Sequence, residues 1–475
     1  KGLRYLGAQV DTCIPDRIKD GYGLHEQLID QAAEDGIDTI ITCDNGIAAA
    51  KEIEYGKALG MTIIVTDHHE VPYKENEAGR RYILPPADAV VDPRQEGCEY
   101  PFKGLCGAAV AYKLVEALCE ANGQDVADLD YLLENVAIAT VADVMDLTEE
   151  NRILVKQGLE MLKRTSNLGL RALIQCIGLE GKKIQAYHIG FILAPCLNAS
   201  GKLDTAKRAL ALLRAKTERE ADMLAGDLKA LNESRRDMTD RVVDEAMAKV
   251  EQTDIRGDKV LVIYLPDCHE SLAGLVAGRV RENYYRPVFV LTDSEDGVKG
   301  SGRSIESYSM YEELTGCGDL LTKFGGHPMA AGLSLDKENV EKFKRRLNDQ
   351  CTLSEEELTE KVVIDMELPF AAITEHFIEE LEYMEPFGKG NTKPVFAARG
   401  VVMQHVKIIG KNKNVAKATA IDAAGNRMEA ICFHDAQEFA KQCERNNGKM
   451  SITFYPGINE FRGERQIQIV ITHYR

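Results

Sequence analysis

Hydrophobic positions in this chain come in short β-branched runs that stop abruptly at acids. Thr62-Ile63-Ile64-Val65-Thr66 reads as a buried strand of a parallel sheet, and it ends in Asp67-His68-His69-Glu70. One element earlier, Asp38-Thr39-Ile40-Ile41-Thr42-Cys43 repeats the pattern and ends in Asp44-Asn45-Gly46. A helix from Ala48 to Leu59 between them makes a βαβ unit, preceded by a helix over 25–35. Residues 83–94 read as a loop and a third strand. Gly104-Leu105-Cys106-Gly107-Ala108-Ala109 opens a closely packed helix, and 131–147 form an apolar helix surface carrying Asp143. From about 204 to 252 the composition is helical. A second α/β pattern begins near 258, with strands at 259–264 and 287–291. Beyond 400, short strands alternate with turns (400–406, 416–422, 428–433, 450–455, 466–473) around one helix at 435–444, the pattern of an OB-like β-barrel.

Length and composition narrow the class. A chain of 475 residues holds about two to four domains, and 44% hydrophobic with 28% charged residues is ordinary for a globular protein. No apolar run approaches the ~18 residues of a membrane span, and no secretory leader is visible, so the expectation is a cytoplasmic protein with no membrane partner. The 12 cysteines show no paired short spacing, which suggests reduced thiols and makes a thiolate zinc site a poor fit. The net charge of −18 is not the footprint of a protein that coats nucleic acid through bulk charge, though it leaves room for a local basic channel.

The candidate chemistry lies where the runs end. Ligands of open α/β sheets bind beyond the carboxyl ends of strands. Asp44, Asp67, His68 and His69 would meet there as a carboxylate–imidazole set suited to Mn²⁺, Mg²⁺ or Zn²⁺. Helix capping by the two acids is the plainer alternative; the His pair and the matching Asp-Asn-Gly favour the metal. Asp143, an acid within an apolar run, is costly to bury unless paired or metal-bound, which makes it a further ligand candidate. In the second half, Ser301-Gly302-Arg303 and Gly325-Gly326-His327 combine glycines that allow close backbone approach with anion donors. Turn glycines and a solvent-facing Arg are the bland alternative. In the barrel, Lys407, Lys411, Lys413, Lys417, Phe454, Tyr455, Phe461 and Arg462 mix cations and aromatics as single strands require, although each aromatic could equally be core.

Val65-Thr66-Asp67-His68-His69 resembles the signature of the DHH phosphoesterase superfamily, and further stretches resemble its RecJ-like family. These are Pro15-Asp16-Arg17 with Gly21-Tyr22-Gly23-Leu24, Gly104 to Ala109, Leu197-Asn198-Ala199-Ser200-Gly201-Lys202, the DHHA1-like Gly325-Gly326-His327, and Pro386-Phe387-Gly388-Lys389-Gly390-Asn391. Lys202 stands where the family has Arg, which keeps the charge and loses the bidentate fork. The resemblance implies an α/β fold: a parallel-sheet DHH domain (1–203), a helical connector (204–256), an α/β DHHA1 domain (257–352) and a linker with an OB-like barrel (361–475). It implies 5′→3′ hydrolysis of single-stranded DNA with two divalent cations, Mn²⁺ or Mg²⁺, in repair and recombination, with single-strand-binding protein nearby. Asp44, His68 and Asp143 would hold metal, with Asp67 and His69 as catalytic residues that orient ligands or contact the phosphate. Arg303, His327, Gly325, Gly326, Asn198, His269 and Ser301 would bind substrate.

The family's earlier Asp-x-Asp-Gly motif is missing from this sequence, and the chain begins with Lys1. That pairing suggests an N-terminally incomplete chain, possessing only part of the metal site. Two other readings stay open: a phosphodiesterase for oligoribonucleotides or cyclic dinucleotides, and a catalytically incomplete scaffold that binds single strands.

Overall fold

The computed structural model describes all residues except 16–22, 77–78, 204–205, 296, 411–412, 434–435 and 462. They group into two compact units, one of Lys1–Asn167, Leu179–Ala194 and Val362–Arg475, the other of Leu168–Gly178 and Pro195–Lys361.

In the first unit the β-branched runs form a three-stranded parallel sheet, with Thr62–Thr66 between Thr39–Ile41 and Ala89–Val91. The helices Glu26–Glu34 and Ala50–Ala58 bury Ile29 and Ile53 against Ile63 and Val65. A polar hairpin, Tyr73–Asn76 with Gly79–Tyr82, follows the central strand; its side chains carry no apolar alternation, so nothing in the sequence marks it as strand. Helices Gly107–Ala121 and Leu133–Ala142 pack in a second cluster around Leu105, Val110 and Leu133.

The same unit carries a closed five-stranded barrel. Phe396–Ile409 pairs with Val415–Ile421 on one side and Lys449–Phe461 on the other, and Arg427–Cys432 and Glu464–Tyr474 complete the circuit. The helix Ala436–Arg445 plugs it with Phe439. Phe454 corrects the sequence expectation. It is 0% exposed and packs edge-on against Phe370 at 5.8 Å, so it belongs to the barrel core and cannot meet a strand. Phe454→Ala should therefore cost about 3–5 kcal/mol of stability. Urea unfolding checks this; weaker strand binding at unchanged stability would contradict it.

The second unit centres on a five-stranded sheet in the order Leu261–Tyr264, Val288–Ser294, Gly297–Arg303, Ala330–Leu335, Lys323–His327, parallel at the first pair and antiparallel thereafter. Phe289 and Phe343 meet edge-on in its core at 5.7 Å. The helical stretch includes one continuous helix, Glu218–Gln252, whose first turn is capped by the Thr217 hydroxyl accepting from the Glu220 N–H at 3.2 Å.

Candidate metal centre and phosphate face

Backbone pairing continues past the parallel strands, three residues beyond Ile41 and one beyond Thr66, and sets the acids in place. The Asp44 N–H donates to Thr66 O at 3.1 Å and the Asp67 N–H to Val91 O at 3.1 Å. Asp44 takes a left-handed conformation (φ 65°), one that Asp tolerates better than most residues. The helix from Gly107 lies directly against it: a Cβ at Gly107 would stand 2.5 Å from Asp44 Cβ and 2.7 Å from its Cα. The small-residue stretch thus serves close packing of a helix end on the acid.

Four of the nominated side chains converge. His68 Nε2 is 2.9 Å from Asp44 Oδ1 and 3.5 Å from Asp143 Oδ2. Asp44, His68 and His69 each offer a ligand atom within 4.8 Å of the others. Asp143 caps the C-terminus of Leu133–Ala142. Its carboxyl is pushed up, chiefly by burial and further by Asp44, against the pull of His68, His69 and Lys389. Two carboxylates crowding one imidazole fit a divalent cation: the charges repel without one, and the oxygen–nitrogen donor set suits Mn²⁺ or Mg²⁺. His68 Nδ1 is buried and has no hydrogen-bond partner among the described residues.

Asp67 does something different. It is 1% exposed and turned inward. One carboxylate oxygen accepts the Ile47 N–H at 3.0 Å; the other accepts the N–H groups of His68 (2.8 Å) and His69 (3.3 Å) and lies 2.7 Å from His69 Nδ1. Burial alone would push its carboxyl up, but the His69 bond and the Ile47 and His68 N–H groups together hold it below the ordinary value. His69 is raised in return, first by that bond and then by the charges of Asp67, Asp44 and Asp143.

Asp92 was missed by sequence reasoning. It follows Ala89–Val91, is 2% exposed, and its Oδ1 accepts the Arg94 N–H at 2.8 Å while Oδ2 has no partner among the described residues. Burial pushes its carboxyl up and Asp67 adds to the shift. The signal was present: Val90-Val91-Asp92 repeats the strand-then-acid pattern of Asp44 and Asp67.

In the second unit the sheet register gathers the anion candidates. Arg303 pairs with Ala330, which pairs with His327; Ser301 pairs with Gly332, which pairs with Gly325. Paired residues share a face, so Ser301, Arg303, Gly325 and His327 lie on one glycine-flattened surface. Gly326 has its Cβ direction on the opposite face, where an added carbon would stand 2.5 Å from Ala331 Cα. The Arg303 guanidinium donates to Gly302 O at 2.8 Å and to Ser301 Oγ at 3.3 Å. No carboxylate lies within 4.0 Å of it among the described residues. Burial, aided by the nearby Arg281, pulls it below the ordinary guanidinium range. His269 caps the helix Glu270–Tyr284, its Nδ1 2.8 Å from Ser271 Oγ. Asn198 is exposed on the helix Ala194–Leu203.

Of the barrel candidates, Tyr455 lies under the Lys393 ammonium, 4.5 Å from the ring centroid, and Lys417 pairs with Glu429. Lys407 and Lys417 are cross-strand partners. Lys411 and Arg462 lie outside the described residues, as do Asp16, Arg17, Gly21, Tyr22 and the side chains of Lys202 and Phe461. Sequence reading also passed over Tyr187 and Phe191, which stack at 4.9 Å while 60% and 71% exposed. One helical turn separates them, a spacing that resembles a core stripe. Among the described residues no helix is long and apolar enough to cross a membrane.

Three family models match the chain: the DHH family N-terminal domain over residues 1–140, the DHHA1 domain over 257–353 and the RecJ OB domain over 364–473. The single-stranded-DNA-specific exonuclease RecJ of Bacillus subtilis is 38% identical over 99% of this chain, which spans 58% of that relative's length. RecJ of Salmonella typhimurium is 34% identical, with 99% of this chain and 83% of the relative covered. Among solved structures, RecJ of Thermus thermophilus in complex with Mn²⁺ superposes with a TM-score of 0.80 at 27% identity, covering 100% of this chain and 65% of that one. An exonuclease RecJ bound to manganese gives 0.61 at 34% identity over 73% of this chain and 84% of that one. With similarity of this extent to relatives of which it covers more than four fifths, the chain belongs to the RecJ family.

Proposed function

We propose that this chain carries the catalytic part of a metal-dependent exonuclease that hydrolyses single-stranded DNA in the 5′→3′ direction, in repair and recombination. The observation that carries the reading is the convergence of Asp44, His68 and Asp143 around His68 Nε2. Asp44, His68 and Asp143 would hold a divalent cation, Mn²⁺ or Mg²⁺, and His69 lies close enough to join them. Bound there, such a cation supplies charge stabilisation to the phosphoryl group and an activated water. Asp67 keeps both histidines in register from behind. Arg303, Ser301 and His327 would take phosphate oxygens on a surface with no side chain at Gly325 or Gly332 to keep a backbone away. Exposed Tyr187 and Phe191 offer faces for base stacking. Cysteines that form no disulfide with one another support a reducing, cytoplasmic setting.

The test uses this chain and the same chain lengthened at its N-terminus, each given 5′-labelled single-stranded DNA with Mn²⁺. Metal-dependent release of labelled mononucleotides by either form is the expected result, with duplex ends cut far more slowly. Hydrolysis only of short RNA or a cyclic dinucleotide would replace the reading by the small-substrate one. Binding of single strands with no cleavage by either form would make the protein a scaffold.

A further inference from the structure

The stretch Pro386-Phe387-Gly388-Lys389-Gly390-Asn391 reads in sequence as a linker into the barrel, whose first strand starts at Phe396. In the structure it is docked on the turn that follows Asp143. The Leu147 N–H donates to Lys389 O at 2.7 Å. The Lys389 ammonium is 3.1 Å from Asp146 Oδ1. A Cβ at Gly390 (φ +73°) would stand 3.0 Å from Asp146 Cβ and 3.2 Å from Thr148 Cγ2, and one at Gly388 2.7 Å from Leu147 Cδ1. The docked segment is itself braced. The Asn391 amide donates to Met384 O (2.8 Å) and Pro386 O (2.9 Å), and the Arg152 guanidinium donates to Tyr383 O at 2.8 Å.

The turn needs such support. Val144, next to Asp143, is β-branched, 63% exposed and held at φ 54°, in the left-handed region that such residues avoid. A strained residue persists only where its surroundings over-determine it. The side chain of Val144 is not buried, so the constraint comes from its neighbours. On one side the Met145 N–H returns to Thr140 O at 3.1 Å; on the other, Asp146 to Thr148 are held by the 388–390 backbone.

We infer that residues 386–391 are a positioning clamp for Asp143, with Lys389 and Gly390 as positioning residues, so that the cation site is set in part by the segment leading into the barrel. The inference rests on the reading of Asp143 as a cation ligand. The experiment is Mn²⁺ binding to the full chain, read from the free-ion electron paramagnetic resonance signal, beside urea unfolding in EDTA. Gly390→Ala should weaken Mn²⁺ binding roughly ten- to hundredfold, the range for groups that orient ligands, and Lys389→Ala, which keeps the carbonyl that holds Leu147, by about two- to fivefold, the range of an exposed ion pair. Lys389→Arg should recover most of it. Lys389→Ala should unfold in EDTA like the wild type, because the Lys389–Asp146 pair is solvent-exposed. Equal Mn²⁺ affinity in the wild type and both weakening variants would overturn the clamp alone. Absence of Mn²⁺ uptake by the wild type would remove the cation reading and the clamp with it.

Discussion

Asp67→Ala is expected to abolish measurable Mn²⁺-dependent cleavage, although Asp67 faces away from the candidate cation. Its carboxylate is the common acceptor for the N–H groups of Ile47, His68 and His69 and for the His69 ring. Removing it leaves buried donors without a partner at roughly 1–3 kcal/mol each. It also frees both imidazoles from the geometry that lets them share a ligand. A loss of stability of about 3 kcal/mol or more should accompany a fall in Mn²⁺ affinity of at least about a hundredfold. The pH dependence of the metal-free protein gives an independent check. Asp67 is held below its ordinary value of 3.8, so its contribution is present above that pH and is lost as pH falls through the lower folded value. Acid unfolding in EDTA should therefore lose this component in Asp67→Ala. Wild-type Mn²⁺ affinity in that variant would show that His68 needs no support from behind.

What the sequence could and could not show follows from the range of the interactions. Asp44, Asp67, His68 and Asp143 were legible because each ends an apolar element, and a strand end is a local feature that topology then brings together. Asp92 has the same signature, but Asp92-Pro93 reads first as a turn. Phe454 and Tyr455 are neighbours on one strand, and residue type does not say which faces inward. The bulges between Ala398 and Val401 and between Gln404 and Lys407 break the alternation that would have decided their partner's parity. Arg303 and His327 are far apart in sequence, and only the registers through Ala330 set them in one row. The docking of Lys389 on Leu147 leaves no periodic trace at all, since its contacts are backbone, glycine and one exposed ion pair.

Arg303→Ala should lower kcat/KM on single-stranded DNA by about a hundredfold, roughly 2.7 kcal/mol of transition-state stabilisation, with Mn²⁺ affinity unchanged. The guanidinium is held by Gly302 O and Ser301 Oγ, lies close to Arg281, and has no carboxylate within 4.0 Å among the described residues. A cation kept in a desolvated place beside another cation is set for an anion, and charge-assisted bonds to phosphate are strong in such surroundings. Arg303→Lys should recover only part of the loss, because an ammonium cannot reproduce the planar fork that Ser301 and Gly302 orient. Salt separates this from a structural effect. A variant that has lost one phosphate contact should show a slope of log affinity against log salt shallower by about 0.7 for a single strand. A merely misfolded sheet would lower the active fraction and leave the slope of the remainder unchanged. An Arg303→Ala protein with wild-type kcat/KM and an unchanged slope would take the phosphate role away from this face, and Ser301 and His327 would lose the reason for being grouped with it.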